Sequence, residues 1–315
     1  MLKYTNPIAL IILGGLLTIS AYARTERQCP PQKGIALQVL GSGGPIADDG
    51  RASAGYIVWV NGESKILIDV GGGTFLRFGE AGASFADLDF IGVSHFHTDH
   101  SADLPALLKS GYFSGRERSL SIVGPDGSDT FPGLESYLQR MLDEEEGAYG
   151  YLSGYLNGTG GLPALVPLEI SRSATEPALI MDDNRSDIQV TAMHVPHGIV
   201  PALAFRVRIG ATVIVFSGDQ NGDDPRFIEF AKNATLLVMH IPIPEGVEGA
   251  ARRLHAPPSV IADIASESGA KTLVLSHFMA RSLVDIKETV KSIRAIYGGN
   301  VLAAEDLDCI VAETS

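Results

Sequence analysis

Short apolar runs separated by glycine, serine and asparagine fill the region from residue 35 to residue 123, as in β-strands joined by tight turns. They predict five strands, at Ile35–Leu40, Tyr56–Val60, Lys65–Val70, Phe90–Val93 and Leu120–Val123. Apolar residues at helical spacing predict a helix at Asp103–Tyr112 and a longer helical stretch from Leu134 to Leu156.

A second strand-rich half begins near Leu165. Its pattern predicts strands at Ile188–His194, Leu203–Ile209, Thr212–Phe216, Leu236–His240 and Thr272–Leu275, with helices at Pro257–Ser268 and Ser282–Tyr297. Two strand-rich halves with outer helices predict two β-sheets that pack face to face and are covered by helices. We take residues 24–315 as one domain of this α/β (α+β) class.

The first 23 residues have the three-part form of a secretory signal peptide. Lys3 gives a positive end, an apolar run extends from Ile8 to Ile19, and Ala21-Tyr22-Ala23 supplies the small residues that precede cleavage. The apolar run is shorter than the roughly twenty residues that a membrane-spanning helix needs. We therefore predict cleavage after Ala23, a periplasmic or secreted protein, and no stable membrane association.

The chain is acidic, with a formal net charge of −13, and no basic stretch interrupts this balance. Removal of residues 1–23 takes away only Lys3 and leaves −14. Proteins that bind nucleic acid usually carry a basic patch or stripe. The composition therefore predicts that nucleic acid is not the main partner.

Cys29 and Cys309 lie at opposite ends of the chain that remains after cleavage. An exported protein with an even cysteine count is expected to form disulfides. We predict one bond, which ties the N-terminal arm to the C-terminal segment. The alternative is two unrelated thiols, with Cys309 buried in its apolar run.

The candidate chemistry lies in the histidines. Three histidines and an aspartate occur between Ser94 and His100, directly after the predicted strand Phe90–Val93. Residues two apart in an extended segment point the same way, so His95 and His97 can share one ion. Asp99 and His100 can face a second ion beside it. Imidazole and carboxylate ligands suit zinc and similar divalent metals, so this density favours a metal site over a surface histidine patch.

These residues resemble the defining motif of the metallo-β-lactamase superfamily, His-x-His-x-Asp-His. Further segments resemble motifs of that superfamily in the same order, and some are similar to its ribonuclease Z and arylsulfatase branch: Leu40–Pro45, Ile66–Gly71, His197-Gly198 with Pro201–Arg206, Phe216–Asp219 and Leu273–Phe278. The resemblance extends over most of the chain. It implies a four-layer αββα sandwich, in agreement with the strand pattern.

The resemblance also implies two divalent metal ions, with zinc the expected metal. The first ion would be held by His95, His97 and His197, and the second by Asp99, His100 and His277, with Asp219 bridging both. His194 is a rival for the third position in the first site, since it lies three residues before His197. Asp69 is expected to be structural, with hydrogen bonds around the metal loop.

Such a centre implies a hydrolase that uses a metal-bridging hydroxide, which Asp99 would steer. His255 resembles the histidine that acts on the leaving group in ribonuclease Z-like enzymes, although Ala256-Pro257 replaces the hydroxyl residues usual there. The alternative for His255 is a surface histidine before a helix. His240 ends a strand and is left open between a supporting residue, a pocket lining and simple packing.

Our main functional prediction is an exported ester hydrolase, arylsulfatase-like or phosphodiesterase-like, that acts on a small anionic ester. Ribonuclease Z-like sequences process tRNA with a basic surface and a protruding arm, which this acidic sequence does not show. Arg252, Arg253 and Arg281 lie near motif histidines and are either anion contacts or ordinary surface charges. The alternatives are a ribonuclease Z-like endonuclease, a lactonase or β-lactamase on the same centre, and a non-catalytic metal-binding protein of this fold. A homodimer is left open.

Overall fold

The computed structural model describes Cys29 and residues 31–184 and 186–312, which form strands and helices. The strands are β1 (Ile35–Gly41), β2 (Gly55–Val60), β3 (Glu63–Val70), β4 (Phe90–Gly92), β5 (Leu120–Pro125), β6 (Leu165–Ile170), β7 (Ala178–Asp183), β8 (Ile188–Val195), β9 (Ala202–Ile209), β10 (Thr212–Phe216), β11 (Leu236–His240), β12 (Thr272–Ser276), β13 (Asn300–Ala303) and β14 (Cys309–Val311). The helices are α1 (Thr74–Glu80), α2 (Thr98–Ser101), α3 (Leu104–Gly111), α4 (Leu134–Leu142), α5 (Gly154–Asn157), α6 (Arg226–Phe230), α7 (Ala250–Leu254), α8 (Pro258–Ser268), α9 (Ala280–Leu283) and α10 (Ile286–Ile296). The predicted signal peptide, residues 1–23, lies outside the described residues.

The strands form two mixed sheets of seven, in the orders β14-β1-β2-β3-β4-β5-β6 and β13-β12-β11-β10-β9-β8-β7. Strands β3 to β6 are parallel in the first sheet, and strands β10 to β13 are parallel in the second. The remaining neighbours pair antiparallel. Each sheet therefore has a run of parallel strands whose carboxyl ends meet at one edge, where ligands commonly bind.

Three apolar layers hold the sheets and helices together. In β3, Ile66 and Ile68 face the layer between the two sheets, whereas Leu67 faces the layer under the helices. In β11, Val238 faces the central layer and Met239 faces the helices on the other side. Because successive residues point to opposite faces, such wholly apolar strands supply two cores at once. The predicted αββα sandwich is confirmed.

The helical stretch predicted from Leu134 to Leu156 is wrong in its middle. Helix α4 ends at Leu142, and the chain turns until the short helix α5. The Asp143 carboxylate accepts hydrogen bonds from the backbone N–H groups of Glu145 and Glu146, at 3.0 and 2.9 Å. A short acidic side chain that bonds to its own following backbone competes with helix continuation.

A covalent bond links Cys29 to the last strand of the first sheet. Cys29 and Cys309 form a disulfide, which confirms the predicted bond. It fixes the N-terminal arm beside β14, the edge strand that pairs with β1. In the described part of the chain, no helix has the length and apolar character needed to cross a bilayer.

Candidate metal centre

The histidines and aspartates singled out by the sequence converge where strands end. Asp69 is the second-to-last residue of β3, the histidine cluster follows β4, Asp219 follows β10, and His277 follows β12. Two close approaches require glycine at this edge. A Cβ atom at Gly71 would lie 2.1 Å from the Asp99 carbonyl oxygen, and one at Gly218 would lie 2.3 Å from the Leu203 carbonyl oxygen. The backbone itself is therefore packed around the site.

The first ligand group consists of His95, His97 and His197. Their candidate ligand nitrogens all lie within 4.8 Å of one another, and His95 Nε2 is 3.0 Å from His97 Nδ1. His197 Nδ1 donates to the Leu254 carbonyl oxygen at 2.9 Å, which leaves the buried Nε2 without a hydrogen-bond partner among the described residues. An unpaired buried imidazole nitrogen is costly unless something binds it, so this group fits a metal ion.

The second ligand group consists of Asp99, His100 and His277. His277 Nε2 lies 3.0 Å from His100 Nε2 and 3.1 Å from Asp99 Oδ2. His277 has a left-handed backbone φ of 58°, which is uncommon for a residue other than glycine and frequent at functional sites. All three side chains are buried, and together they offer the nitrogen and oxygen donors that a divalent metal prefers.

Asp219 lies between the two groups. Its Oδ2 is 3.7 Å from both His197 Nε2 and His100 Nε2, and its Oδ1 is 3.4 Å from His277 Nε2. A carboxylate in this position can serve both groups at once. His240 makes its closest contact, with Nδ1 2.7 Å from Oδ1. The sequence left the role of His240 open, and the structure shows it as a partner of Asp219.

Asp69 organises the loop that carries the histidines, as the sequence predicted. Its Oδ1 accepts a hydrogen bond from the Ser94 backbone N–H at 2.6 Å, and its Oδ2 lies 2.9 Å from Ser94 Oγ. The same Oδ2 lies 2.8 Å from His100 Nδ1. A hydrogen bond at Nδ1 directs the Nε2 lone pair of His100 into the second group.

The protonation states suit metal binding at most positions. Burial lowers the pKa of His95, His97 and His197, so these imidazoles are neutral at pH 7. Burial raises the pKa of Asp99, but His100 and His277 outweigh it and bring the value down to about 2. Neutral imidazole and ionised carboxylate are the forms that coordinate a cation.

His100 is the exception. Burial lowers its pKa, but the carboxylates of Asp69, Asp219 and Asp99 together raise it well above the ordinary value. The same negative charges that hold a proton on His100 also favour a metal cation in the second group. A cation bound there would replace that proton.

His255 lies beside the first group, after helix α7. Its Nδ1 is 3.8 Å from Asp219 Oδ2 and has no hydrogen-bond partner in the described parts of the chain. Burial lowers its pKa to about 3. The side chain is only 12% exposed, so the alternative of a surface histidine is wrong.

His194 and the three arginines differ in their positions. His194 Nε2 lies 2.8 Å from the Ile170 carbonyl oxygen, so the structure brings His197 and not His194 to the cluster. Arg252 donates to the Asn221 carbonyl oxygen and to Asp223, and Arg281 donates to the Pro242 carbonyl oxygen. Arg253 is exposed on α7, two residues before His255.

Comparison with known proteins identifies relatives over nearly the whole chain. A ribonuclease Z of Methanosarcina mazei is 27% identical over 300 residues, which cover 85% of this chain and 95% of the relative. A ribonuclease Z of Mycobacterium marinum is 26% identical, over 87% of this chain and 97% of its own. The solved structure of the short form of human tRNase Z superposes with a TM-score of 0.69 at 22% identity, over 89% of this chain and all of the other.

These relatives overturn the main functional prediction from the sequence. The prediction of an arylsulfatase-like or phosphodiesterase-like enzyme for a small anionic ester is wrong, because the similarity favours the ribonuclease Z alternative. The exclusion of nucleic acid as a partner is wrong for the same reason. Net charge sums the whole surface, whereas recognition depends on the charges within about 8 Å of the contact at physiological salt.

The family model described as the β-lactamase superfamily domain matches residues 65–278. This range begins in β3, ends one residue after His277, and contains both ligand groups, Asp219 and His255. The molecule is a metal-dependent hydrolase that acts on ester bonds, and its cofactors are divalent metal ions. The chain belongs to the metallo-β-lactamase superfamily.

Proposed function

We propose that this chain is a ribonuclease Z-like enzyme that hydrolyses phosphodiester bonds of RNA at a centre of two zinc ions. One observation carries the proposal. Two groups of candidate ligands, buried except for the half-buried His97, lie on either side of a single carboxylate, Asp219, in a chain whose relatives include ribonucleases Z. The chain spans 95% of the length of the Methanosarcina relative, so the comparison covers that enzyme almost completely.

The ligand assignment follows from the two groups. His95, His97 and His197 would hold one ion, and Asp99, His100 and His277 would hold the other, with Asp219 between them. When bound, two such ions supply Lewis acidity, which activates water and offsets negative charge on a phosphodiester. The chain contributes the geometry, since Asp69 and the Leu254 carbonyl oxygen fix the ring orientations of His100 and His197.

His255 is the candidate proton donor to the leaving oxygen. His255 lies outside both ligand groups, beside the first one. Its Nδ1 has no hydrogen-bond partner among the described residues and lies 3.8 Å from Asp219 Oδ2. Burial keeps this ring neutral at pH 7. The negative charge of a bound phosphodiester favours the protonated ring, so we expect substrate binding to raise the pKa of His255 and the ring to take up a proton from water.

The named relatives point to tRNA as the class of RNA. One solved neighbour is titled as a tRNase Z, and its structure aligns over 89% of this chain. Arg253 is exposed near His255 on helix α7 and offers a local cation for the RNA backbone. A few such contacts position a nucleic acid without a basic surface over the whole protein.

Export remains part of the proposal. The disulfide between Cys29 and Cys309 supports it, because such bonds form and persist in oxidising compartments. The cleavage after Ala23 is tested by the N-terminal sequence of the protein recovered from the periplasm or medium. An intact Met1 in that material would refute it.

The decisive experiment measures cleavage of four substrates by the purified chain: a precursor tRNA transcript, an unstructured RNA of equal length, the DNA of the same sequence, and a β-lactam. We expect Zn²⁺-dependent cleavage of the tRNA transcript that a chelator abolishes. Asp219→Asn should remove both zinc and cleavage, whereas His194→Ala, outside both groups, should retain them. A chain with two bound zinc ions that leaves both RNAs intact would overturn the proposal.

A further inference from the structure

One candidate ligand, His277, has a backbone conformation that its neighbours must hold in place. Its φ of 58° is left-handed, and residues other than glycine keep such a conformation only where the surrounding structure fixes it. Backbone hydrogen bonds fix the residues on both sides. The Ser276 carbonyl oxygen accepts from the Ile241 N–H at 2.9 Å, and the Phe278 N–H donates to the Ser42 carbonyl oxygen at 2.8 Å. The second bond ties His277 to the loop that follows β1.

This loop, residues 42–45, lies directly against the imidazole ring of His277. The Gly44 N–H donates to the Phe278 carbonyl oxygen at 2.8 Å. A Cβ atom at Gly44 would lie 3.0 Å from His277 Cε1 and 3.1 Å from its Nδ1, so glycine allows the backbone to approach the ring closely. The place of the loop therefore limits the place of the ring, whose Nε2 faces the second ligand group.

The carboxylate of Asp306, in the turn between β13 and β14, holds the loop at its base. Asp306 Oδ1 accepts from the Ser42 backbone N–H at 3.0 Å and from Ser42 Oγ at 2.8 Å. Its Oδ2 accepts from the Ala52 backbone N–H at 2.9 Å and from Arg77 Nε at 3.3 Å. Ser42 follows β1 and Ala52 precedes β2, so one side chain fixes both ends of the connection between these strands.

Arg51 joins the same parts of the molecule. Its Nη1 donates to Ser42 Oγ at 2.6 Å and to the Ala304 carbonyl oxygen at 2.9 Å. The guanidinium carbon lies 5.2 Å from the centre of the Phe278 ring, a cation–π contact. The loop, the C-terminal turn and the residue after His277 are therefore held as one unit.

We propose that Asp306 is a positioning residue for His277: it fixes the loop of residues 42–45, and the loop fixes the backbone and the ring of His277 at the second ligand group. Asp306 acts through the loop, because its four hydrogen bonds come from Ser42, Ala52 and Arg77 and not from a candidate ligand. The inference rests on the proposed function in one respect, namely that His277 binds one ion of a centre that holds two.

Asp306→Asn tests the first step, because it keeps the size of the side chain and turns an NH₂ group towards backbone N–H donors. The matched control is Asp103→Asn, since Asp103 also accepts from two backbone N–H groups, those of Gly73 and Phe75. Each metal-free variant is titrated with Zn²⁺ against a chromogenic chelator. Residues that orient metal ligands typically contribute 10- to 100-fold in metal affinity. Asp306 is one step further from the ion, so we expect a loss of about tenfold for one ion only, and none in the control.

This selective loss separates positioning from general damage to the fold, which would weaken both ions. A double-mutant cycle then tests whether the effect passes through His277. In a His277→Ala background, where the second group lacks this ligand, Asp306→Asn should change the affinity for the remaining ion by less than twofold. A tenfold loss there, an equal loss for both ions in the single variant, or an equal loss in Asp103→Asn would overturn the proposal.

Gly44→Ala tests the contact between the loop and the ring with Asp306 intact, and it decides the matter if Asp306→Asn does not fold. The added Cβ would press on His277, whereas at the control position, Gly298→Ala, it would meet no atom within 4 Å. We expect Gly44→Ala to weaken the same ion that His277→Ala loses, as followed by the visible absorption of Co²⁺ bound in place of zinc. Gly298→Ala should bind both ions as the wild type does.

The inference and the proposed function fail in different ways. If the wild-type chain binds fewer than two zinc ions, the proposed centre itself is refuted. If it binds two and Gly44→Ala binds both with wild-type affinity, only the positioning role of the loop and of Asp306 is refuted. Neither reading depends on cleavage of RNA.

Discussion

Asp69→Asn isolates the hydrogen bonding of one buried carboxylate. Asp69 accepts from the Ser94 backbone N–H at 2.6 Å, and its other oxygen lies 2.9 Å from Ser94 Oγ and 2.8 Å from His100 Nδ1. Its backbone φ is 58°, a left-handed conformation that asparagine tolerates well. The substitution therefore keeps the size and backbone and changes one oxygen into an amino group.

The asparagine amide can replace only some of the hydrogen bonds that the Asp69 carboxylate makes with Ser94 and His100. If its oxygen accepts from the Ser94 N–H, its NH₂ group faces His100 Nδ1, which must then give up its proton to Nε2. Nε2 is the nitrogen that lies 3.0 Å from His277 Nε2 and would bind the metal. We expect the affinity of the second group for Zn²⁺ to fall by about 10- to 100-fold. The free energy of unfolding of the metal-free chain should fall by about 1–3 kcal/mol, the cost of a buried group left unpaired.

Two measurements separate these effects. Zinc titration against a competing chelator gives the affinity, and urea unfolding in the presence of EDTA gives the stability. The control is Asp103→Asn, because Asp103 accepts from the backbone N–H groups of Gly73 and Phe75 and has no hydrogen bond or ion pair with a histidine among the described residues. It should lower stability without lowering zinc affinity. Wild-type zinc affinity in Asp69→Asn, or an equal loss of affinity in the control, would refute the reasoning.

Three further predictions address the ligands, the disulfide and the pH dependence. His197→Ala should lose zinc from the first group while His194→Ala keeps it, as measured by elemental analysis, and the reverse would reassign the third ligand. Cys29→Ser should lower the free energy of unfolding by about 2–4 kcal/mol in denaturant titrations, because the bond with Cys309 closes a long loop; identical unfolding curves would contradict this. The pKa of His255 is about 3 in the folded chain, below the unfolded value of about 6.5, so its contribution to stability is complete above pH 6.5 and is lost as the pH falls. The metal-free chain should therefore lose about 1.4 kcal/mol per pH unit from this residue between pH 6.5 and 3, and His255→Gln should show a shallower slope in urea unfolding; equal slopes would place the acid sensitivity elsewhere.

The central strands were predictable because burial on both faces makes them wholly apolar. The bounds of β10 and β11, Thr212–Phe216 and Leu236–His240, agree with the sequence pattern to the residue. The edge strands were not predictable in the same way. In β6, Leu165–Ile170, only the two end residues are buried, and in β7, Ala178–Asp183, none is. Half-exposed edge strands carry mixed residues, and their position follows from pairing with a neighbour instead of from their own pattern.

In the candidate site too, some residues can be found from the sequence pattern and others only from the packing of the sheets. Residues that recur at fixed spacing after a strand, such as His95 and His97, were found from the sequence, and the structure brings them together. The Tyr56–His240 contact joins β2 of one sheet to β11 of the other, across 184 residues of sequence. An inward-facing tyrosine signals that its hydroxyl needs a partner, but only the packing of the two sheets selects which one.

The substrate prediction failed because the net charge of the whole chain was used to judge the charge at one binding site. Asp143 to Glu146 form an acidic run outside the site, while Arg252 and Arg253 lie on the helix just before His255. At physiological salt, charges farther apart than about 8 Å are largely screened, so a sum over the whole chain does not describe the charge at one site. The buried carboxylates Asp99 and Asp219 repel an anion only until cations occupy the two groups. The charge that a phosphodiester would meet at the site is therefore set by the ions that the two groups would hold and by the residues of α7, which a whole-chain sum of −13 does not report.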